Sequence, residues 1–189
     1  VYLFGKEIND ETYAICKSDM MIKGDNPENI RVGSTLATDE FAGTKFDFML
    51  SNPPYGKSWS SEMRYIKDGN TIIDPRFVVT LKDYWGNEEE ADATPRSSDG
   101  QLLFLMEMVD KMKAPEQNIM GSRIASVHNG SSLFTGDAGG GESNIRRHII
   151  ENDWLDCIVQ LPNNLFYNTG ITTYIWFLNN AKPAERRGK

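Results

Sequence analysis

Residues 46–56 read Phe46-Asp47-Phe48-Met49-Leu50-Ser51-Asn52-Pro53-Pro54-Tyr55-Gly56. The apolar run ending at Ser51 predicts a buried strand, and Asn52-Pro53-Pro54-Tyr55 predicts a rigid turn at its carboxyl end. These residue types suit one chemical task. The Asn52 side-chain oxygen is an acceptor, and the Pro53 carbonyl can serve as a second. Two acceptors so placed draw the N–H bonds of a planar amino group out of its plane, which a poorly nucleophilic conjugated nitrogen needs. Pro53 and Pro54 fix φ and steady that carbonyl. Tyr55 offers a ring face on which a planar group can stack. A rigid turn with a packed Tyr55 satisfies the same tetrapeptide, so the context must decide.

Outward from this stretch, strand and helix patterns alternate. Upstream, residues 2–4 read as a short strand ending at Gly5, Asn9 as a helix N-cap, and the stretch to Lys23 as a helix stopped by Gly24-Asp25-Asn26-Pro27. Residues 30–36 form a further strand candidate. Downstream, 101–113 carries a helical stripe of Leu102, Leu105, Met106 and Val109. Then come a strand at 124–127, a helix at 142–152 with Ile145 and Ile149 inward, and strands at 154–161 and 172–178. Strands alternating with helices predict an α/β sheet covered on both faces. The last two strands have only a short connection, which predicts a terminal antiparallel hairpin on a mostly parallel sheet. Residues 57–99 are polar, carry Gly69, Pro75, Gly86 and Pro95, and lack sustained periodicity, so they read as a long insert or loop.

Composition narrows the classes. The chain of 189 residues can bury a real core, and no apolar run approaches the length of a membrane span. The N-terminus lacks a signal-peptide pattern. Cys16 and Cys157 lie in apolar-periodic segments and suggest no disulfide framework, which fits a reducing cytoplasm. His128 and His148 are too few and too far apart for a zinc site, so no metal is expected. A net charge of −7 argues against gripping nucleic acid by bulk electrostatics, although a catalytic subunit can borrow that affinity from a partner. The acidic run at 88–92 reads as a solvated loop.

The order of these segments resembles the modification subunit of type I restriction–modification systems, an S-adenosylmethionine-dependent DNA adenine-N6 methyltransferase. The resemblance covers nearly the whole chain. It rests on Gly5-Lys6-Glu7-Ile8-Asn9, on 46–56, on 121–130 with Leu133-Phe134, on Glu142 with Ile145-Arg146, and on 161–171 as an LP-x-x-x-F-x-x-x-G-I turn. It implies a Rossmann-like methyltransferase fold in a catalytic domain at 1–180, followed at 181–189 by the start of a linker. The family's first strand with its Gly-rich cofactor loop is missing from the pattern, as is its C-terminal helical extension, so a partial domain is expected. The usual acidic residue of the segment at 33–36 is replaced by Ser34.

By the same resemblance, Asn52, Pro53, Pro54 and Tyr55 are catalytic, and Glu7, Ser34 and Asn52 lie on the S-adenosylmethionine side. Tyr55, Phe166 and Asn129 would wall the pocket for a flipped base. Each has a structural reading beside it: a solvated carboxylate for Glu7, a core aromatic for Phe166, a loop cap for Asn129. Gly139-Gly140-Gly141 lacks the Lys-Ser/Thr of a phosphate loop and reads as a flexible helix lead-in. The basic residues Lys182, Arg186, Arg187 and Lys189 fit either a linker or a DNA contact. The implied partners are DNA and the specificity and restriction subunits of the same system, with no membrane. A methyltransferase acting on protein glutamine or ribosomal RNA, and a non-catalytic assembly module, are the competing readings.

Overall fold

The computed structural model describes residues 1–116, 118–167 and 169–189. They form two compact units, Val1–Gly43 and Thr44–Lys189.

In the first unit, β1 (Gly5–Glu7) leads through α1 (Asp10–Lys23) to β2 (Ile30–Val32). β2 lies parallel to β1 with Val32 beside Glu7, and the helix supplies the crossover that a parallel pair requires. The Asn9 side-chain oxygen accepts from the Thr12 N–H at 2.9 Å, so the N-cap falls where the sequence places it. At the other end Gly24 adopts φ 77°, and its N–H and that of Asp25 reach back to the Met21 and Met20 carbonyls. The strands differ from the expected 2–4 and 30–36. β1 starts only at Gly5, and β2 stops at Val32 because Gly33 (φ 131°) turns the chain while its N–H bonds the Glu7 carbonyl at 2.8 Å.

The second unit begins with β3 (Phe48–Ser51). It continues through α2 (Met63–Ile66), β4 (Lys67–Asp68), β5 (Thr71–Ile72), β6 (Val78–Lys82) and β7 (Glu88–Asp92). After these come α3 (Gln101–Asp110), β8 (Arg123–Asn129), α4 (Ser131–Phe134), α5 (Gly141–Glu151), β9 (Leu155–Gln160) and β10 (Thr173–Asn179). Four strands form the main sheet in the order β3-β8-β10-β9. β3 and β8 are parallel, whereas β10 is antiparallel to both β8 and β9. The sheet is thus mixed. β10 does not merely fold back on β9 but inserts between it and β8, so antiparallel neighbours outnumber parallel ones.

The core sits where α3 meets β8 and where α5 packs on α3 and on the β6–β7 hairpin. Leu102, Leu105, Met106 and Val109 are buried, as are Ile145 and Ile149 of α5 and Ile124, Trp176 and Leu178 of the strands. Each such side chain withdrawn from water contributes about 1.5–3 kcal/mol before entropy is counted.

Two sequence expectations need correction here. β3 is not buried: Phe48 is 69% and Leu50 85% exposed, both on the face opposite the half-buried Met49 and Ser51. Residues 57–99 are not a structureless loop. β4 pairs with β5 and β6 with β7, while Trp59, Ile66, Phe77, Val79 and Leu81 are buried. Arg76, itself buried, pairs with Asp74 inside the segment at 2.6 Å and ties it to α3 through Glu107 at 2.8 Å. Strands this short leave too few alternations to register as a period.

The basic tail also folds back. Lys182 is buried against Asp153 at 2.7 Å, and Arg186 pairs with Asp156 at 3.2 Å. Among the described residues no helix is long and apolar enough to cross a membrane.

Candidate active site

β3 and β8 run parallel with Ser51 beside Ser126, so their carboxyl ends point the same way. Asn52-Pro53-Pro54-Tyr55 leaves β3 at that end, and β8 continues past it to Asn129. Carboxyl ends of parallel strands are where α/β sheets place their ligands. Asn52 is exposed, Pro53 buried and Tyr55 half-buried, which leaves the Asn52 amide open to an incoming group while the turn behind it is fixed.

That fixing comes from beyond the turn. Gly56 adopts φ 68°, a conformation costly for other residues, and its N–H bonds the Asp99 Oδ1 at 3.0 Å. The Gly100 N–H bonds the Lys57 carbonyl at 3.0 Å, and the Trp59 indole N–H bonds the Arg96 carbonyl at 2.9 Å. The chain leaving the turn is therefore laced along 96–100.

Asp99 in turn belongs to a polar network at the start of α3 and the end of β8. Its Oδ2 accepts from Gln101 Nε2 at 2.7 Å and lies 2.6 Å from the Ser131 hydroxyl. Gln101 Oε1 accepts from the Asn129 N–H and lies 3.1 Å from His128 Nδ1. The Asn129 side-chain oxygen meets Gln101 Nε2 at 2.7 Å and the Ser131 N–H at 3.0 Å. Burial pushes the His128 imidazole down to about 4, the Asp99 charge opposing only in part, so the ring is neutral at pH 7. Neutral, it donates from Nδ1 to Gln101 Oε1. A cavity of only about 10 Å³ lies beside Asp99, Gln101 and Ser131 and is bounded across by Arg96 and Glu142. Burial pushes the Glu142 carboxyl up, but the Arg96 backbone and side-chain donors outweigh it and hold the group below the usual carboxylate range. A larger hollow of about 500 Å³, lined by Asn180, Lys182 and Pro183, opens at the opposite end of the sheet, away from Asn52.

Other predicted residues fall into two groups. Phe166 is half-buried in the connection from β9 to β10, and Thr173 at its far end pairs with Asn129. This connection therefore emerges at the same end of the sheet as Asn52. Asn168, within the 161–171 motif, lies outside the described residues. Glu7 and Ser34 belong to the first unit, at the carboxyl ends of β1 and β2, joined by the Gly33–Glu7 backbone bond. Glu7 Oε1 accepts from the Asn9 N–H at 2.9 Å, which holds the carboxylate at the strand end. Asp99, Gln101 and Ser131 escaped sequence reasoning. Asp99-Gly100 just before a strong helix was a capping signal, but it lay at the border of what read as an insert.

Comparison with known proteins fits this geometry. The chain is 27% identical to the type I restriction enzyme MjaIX methylase subunit of Methanocaldococcus jannaschii, over 99% of its own length and 29% of the relative's. It is likewise 27% identical to the HindI methylase subunit of Haemophilus influenzae, covering all of this chain and 36% of that one. Among solved structures, the type I restriction–modification methyltransferase subunit of Streptococcus thermophilus superposes with a TM-score of 0.69 at 28% identity, over 96% of this chain and 34% of that one. The chain thus spans about a third of the length of these relatives. The N-6 DNA Methylase family matches residues 1–189, and the chain belongs to that family.

Proposed function

We propose that this chain carries the amino-group-holding segment of an S-adenosylmethionine-dependent DNA adenine-N6 methyltransferase, the modification subunit of a type I restriction–modification system. The observation that carries the reading is the Asn52–Tyr55 turn at the carboxyl end of β3, beside β8 and locked from behind through Gly56 and Asp99. Asn52 Oδ1 and the Pro53 carbonyl accept the two N–H bonds of the target amino group and free its lone pair. Tyr55 stacks on the extruded base, and Phe166 forms a second wall. Pro54 keeps the turn rigid. Asn129, its oxygen engaged by Gln101 and Ser131, shapes the rim of the pocket. No strong general base is required, since the proton becomes acidic once the nitrogen is alkylated; rate comes from position and from fixed acceptors in place of water.

The residues of the first unit suit the cofactor. Glu7 uses Oε1 on the Asn9 N–H, and its second oxygen would accept from ribose hydroxyls. Ser34, following the turn at Gly33, offers a neutral hydroxyl to the purine edge or the ribose. S-adenosylmethionine supplies an electrophilic methyl group. Residues 1–180 would then act as one catalytic region, with DNA as substrate and the specificity and restriction subunits as partners. The test is 6-methyladenine formation in unmethylated DNA by the full-length subunit assembled with its specificity subunit. Methylation of a protein glutamine or of ribosomal RNA instead would refute the reading.

A further inference from the structure

We infer that Asp99 is a positioning residue for methyl transfer, holding the Asn52–Tyr55 turn in register with the end of β8; this rests on the function proposed above. The geometry is specific. Oδ1 takes the N–H of Gly56 at 3.0 Å, directly after Tyr55, and that of Gln101 at 3.3 Å. Oδ2 takes Gln101 Nε2 at 2.7 Å and lies 2.6 Å from the Ser131 hydroxyl. One carboxylate thus joins three separated pieces of chain: the exit of the turn, the first residue of α3 and the first residue of α4.

The residue type matters as much as the contacts. A carboxylate only accepts, so every neighbour must donate. That requirement fixes which way the Gln101 amide faces: Nε2 toward Asp99, Oε1 toward His128 and the Asn129 N–H. Gln101 is 1% exposed and His128 is fully buried, so neither can turn to water instead. The Asn129 backbone and side chain inherit their orientation from this arrangement. The Asn129 N–H can only donate and holds Gln101 Oε1 where it is, so an amide at position 99 would turn an N–H either on the Gly56 N–H or on Gln101 Nε2, donor against donor. Asp99 sits behind the turn and is assigned no contact with the base or the cofactor. It acts through residue 56 on the turn and through Gln101 on Asn129.

The experiment uses the full-length subunit with its specificity partner and unmethylated DNA. Asp99→Ala and Asp99→Asn are compared with Asp83→Ala. Asp83 caps a distant hairpin turn with a similar set of bonds, from the Trp85 and Asn87 N–H groups at 2.8 Å each. A misplacement on the order of 1 Å at a reacting group costs up to about 100-fold in rate. The expected result is a 10- to 100-fold fall in kcat for both Asp99 variants, with KM for DNA changed less than about threefold and Asp83→Ala unaffected. Amide exchange at Gly56 should accelerate in the same variants, a readout independent of activity. If Asp99→Ala does not fold, Asp99→Asn and Ser131→Ala decide, the latter with a smaller loss in the same direction. Unchanged kcat and unchanged Gly56 exchange in the folded Asp99 variants would overturn the inference alone. Absence of 6-methyladenine from the native assembly would instead overturn the function on which it rests.

Discussion

At the scale of single residues, Asn52 and His128 show two different uses of a polar side chain. Asn52 is exposed at a strand end, which leaves its amide oxygen open to solvent. Asn52→Ala in the full-length assembly should lower methyl transfer by about 100-fold or more, the cost typical of removing a preorganised polar contact. Cofactor affinity, followed by calorimetry, should stay within about twofold. Near-normal turnover would remove Asn52 from the mechanism. His128, by contrast, is enclosed and held neutral, its folded value near 4 against an ordinary 6.5. The unfolded chain therefore takes up a proton that the folded chain refuses as pH falls from 6.5 toward 4. Stability is fully present above pH 6.5 and declines by up to about 3 kcal/mol across that window. His148, also lowered by burial, adds in the same direction. Urea midpoints measured from pH 7 to 5 should fall in the native chain and fall less steeply in His128→Gln. Parallel curves would show that His128 does not carry the effect. Asn52 could be proposed from the sequence because the residues of its turn are four neighbours in the chain. Asp99 was not, because its partners at Gly56 and Ser131 are distant in the chain and only the fold brings them together.

At the scale of elements, the sequence was readable wherever a helix had an uninterrupted stripe. The stripe predicted at 101–113 gives α3 at Gln101–Asp110, with its marked positions buried. The 57–99 segment was misread because its order comes from hairpins of a few residues and from Arg76, not from periodicity. Arg76 is held protonated, burial opposing and the Asp74 and Glu107 carboxylates prevailing. Arg76→Ala would remove the guanidinium from two half-buried carboxylates, Asp74 and Glu107, and should cost about 3 kcal/mol. A thermal melt checks this, and a loss under ~1 kcal/mol would mean the segment is docked by its apolar residues alone. The glycine run before α5 was misread in the opposite sense. Gly141 is not there for flexibility: a Cβ on it would lie 1.7 Å from the Thr94 carbonyl oxygen. Gly141→Ala should therefore destabilise by roughly 2 kcal/mol or more, as overpacking against backbone does. Gly139→Ala meets no atom within 4 Å and pays only for its φ of 79°. Equal losses at both positions would contradict a packing role for Gly141.

At the scale of the whole molecule, strand existence could be read locally but strand order could not. Nothing within 172–178 announces that this strand inserts between β8 and β9, since its partners are chosen by the sheet as a whole. Charge, however, is a whole-chain property legible from composition, and it constrains the proposed encounter with DNA. At −7, the chain repels a phosphate backbone, and several cations that would otherwise offset this are already engaged. Lys182 and Arg186 are paired with Asp153 and Asp156, and Lys113 with Asp47 at 2.7 Å. Counterion release from the duplex, the main source of sequence-independent affinity, needs free lysines and arginines clustered on one face. In the proposed assembly that affinity must come from elsewhere, and methyl transfer need only position a base once the duplex is held. The 189-residue chain alone should accordingly bind a random duplex more weakly than about 10⁻⁴ M at physiological salt, the weak limit of ordinary non-specific binding. The assembly with its specificity subunit should bind far more tightly, with an affinity that falls steeply as salt rises. Fluorescence anisotropy across a salt series measures both. Micromolar, salt-sensitive binding by the chain alone would show that a basic surface on it grips the duplex directly and that the net charge misleads.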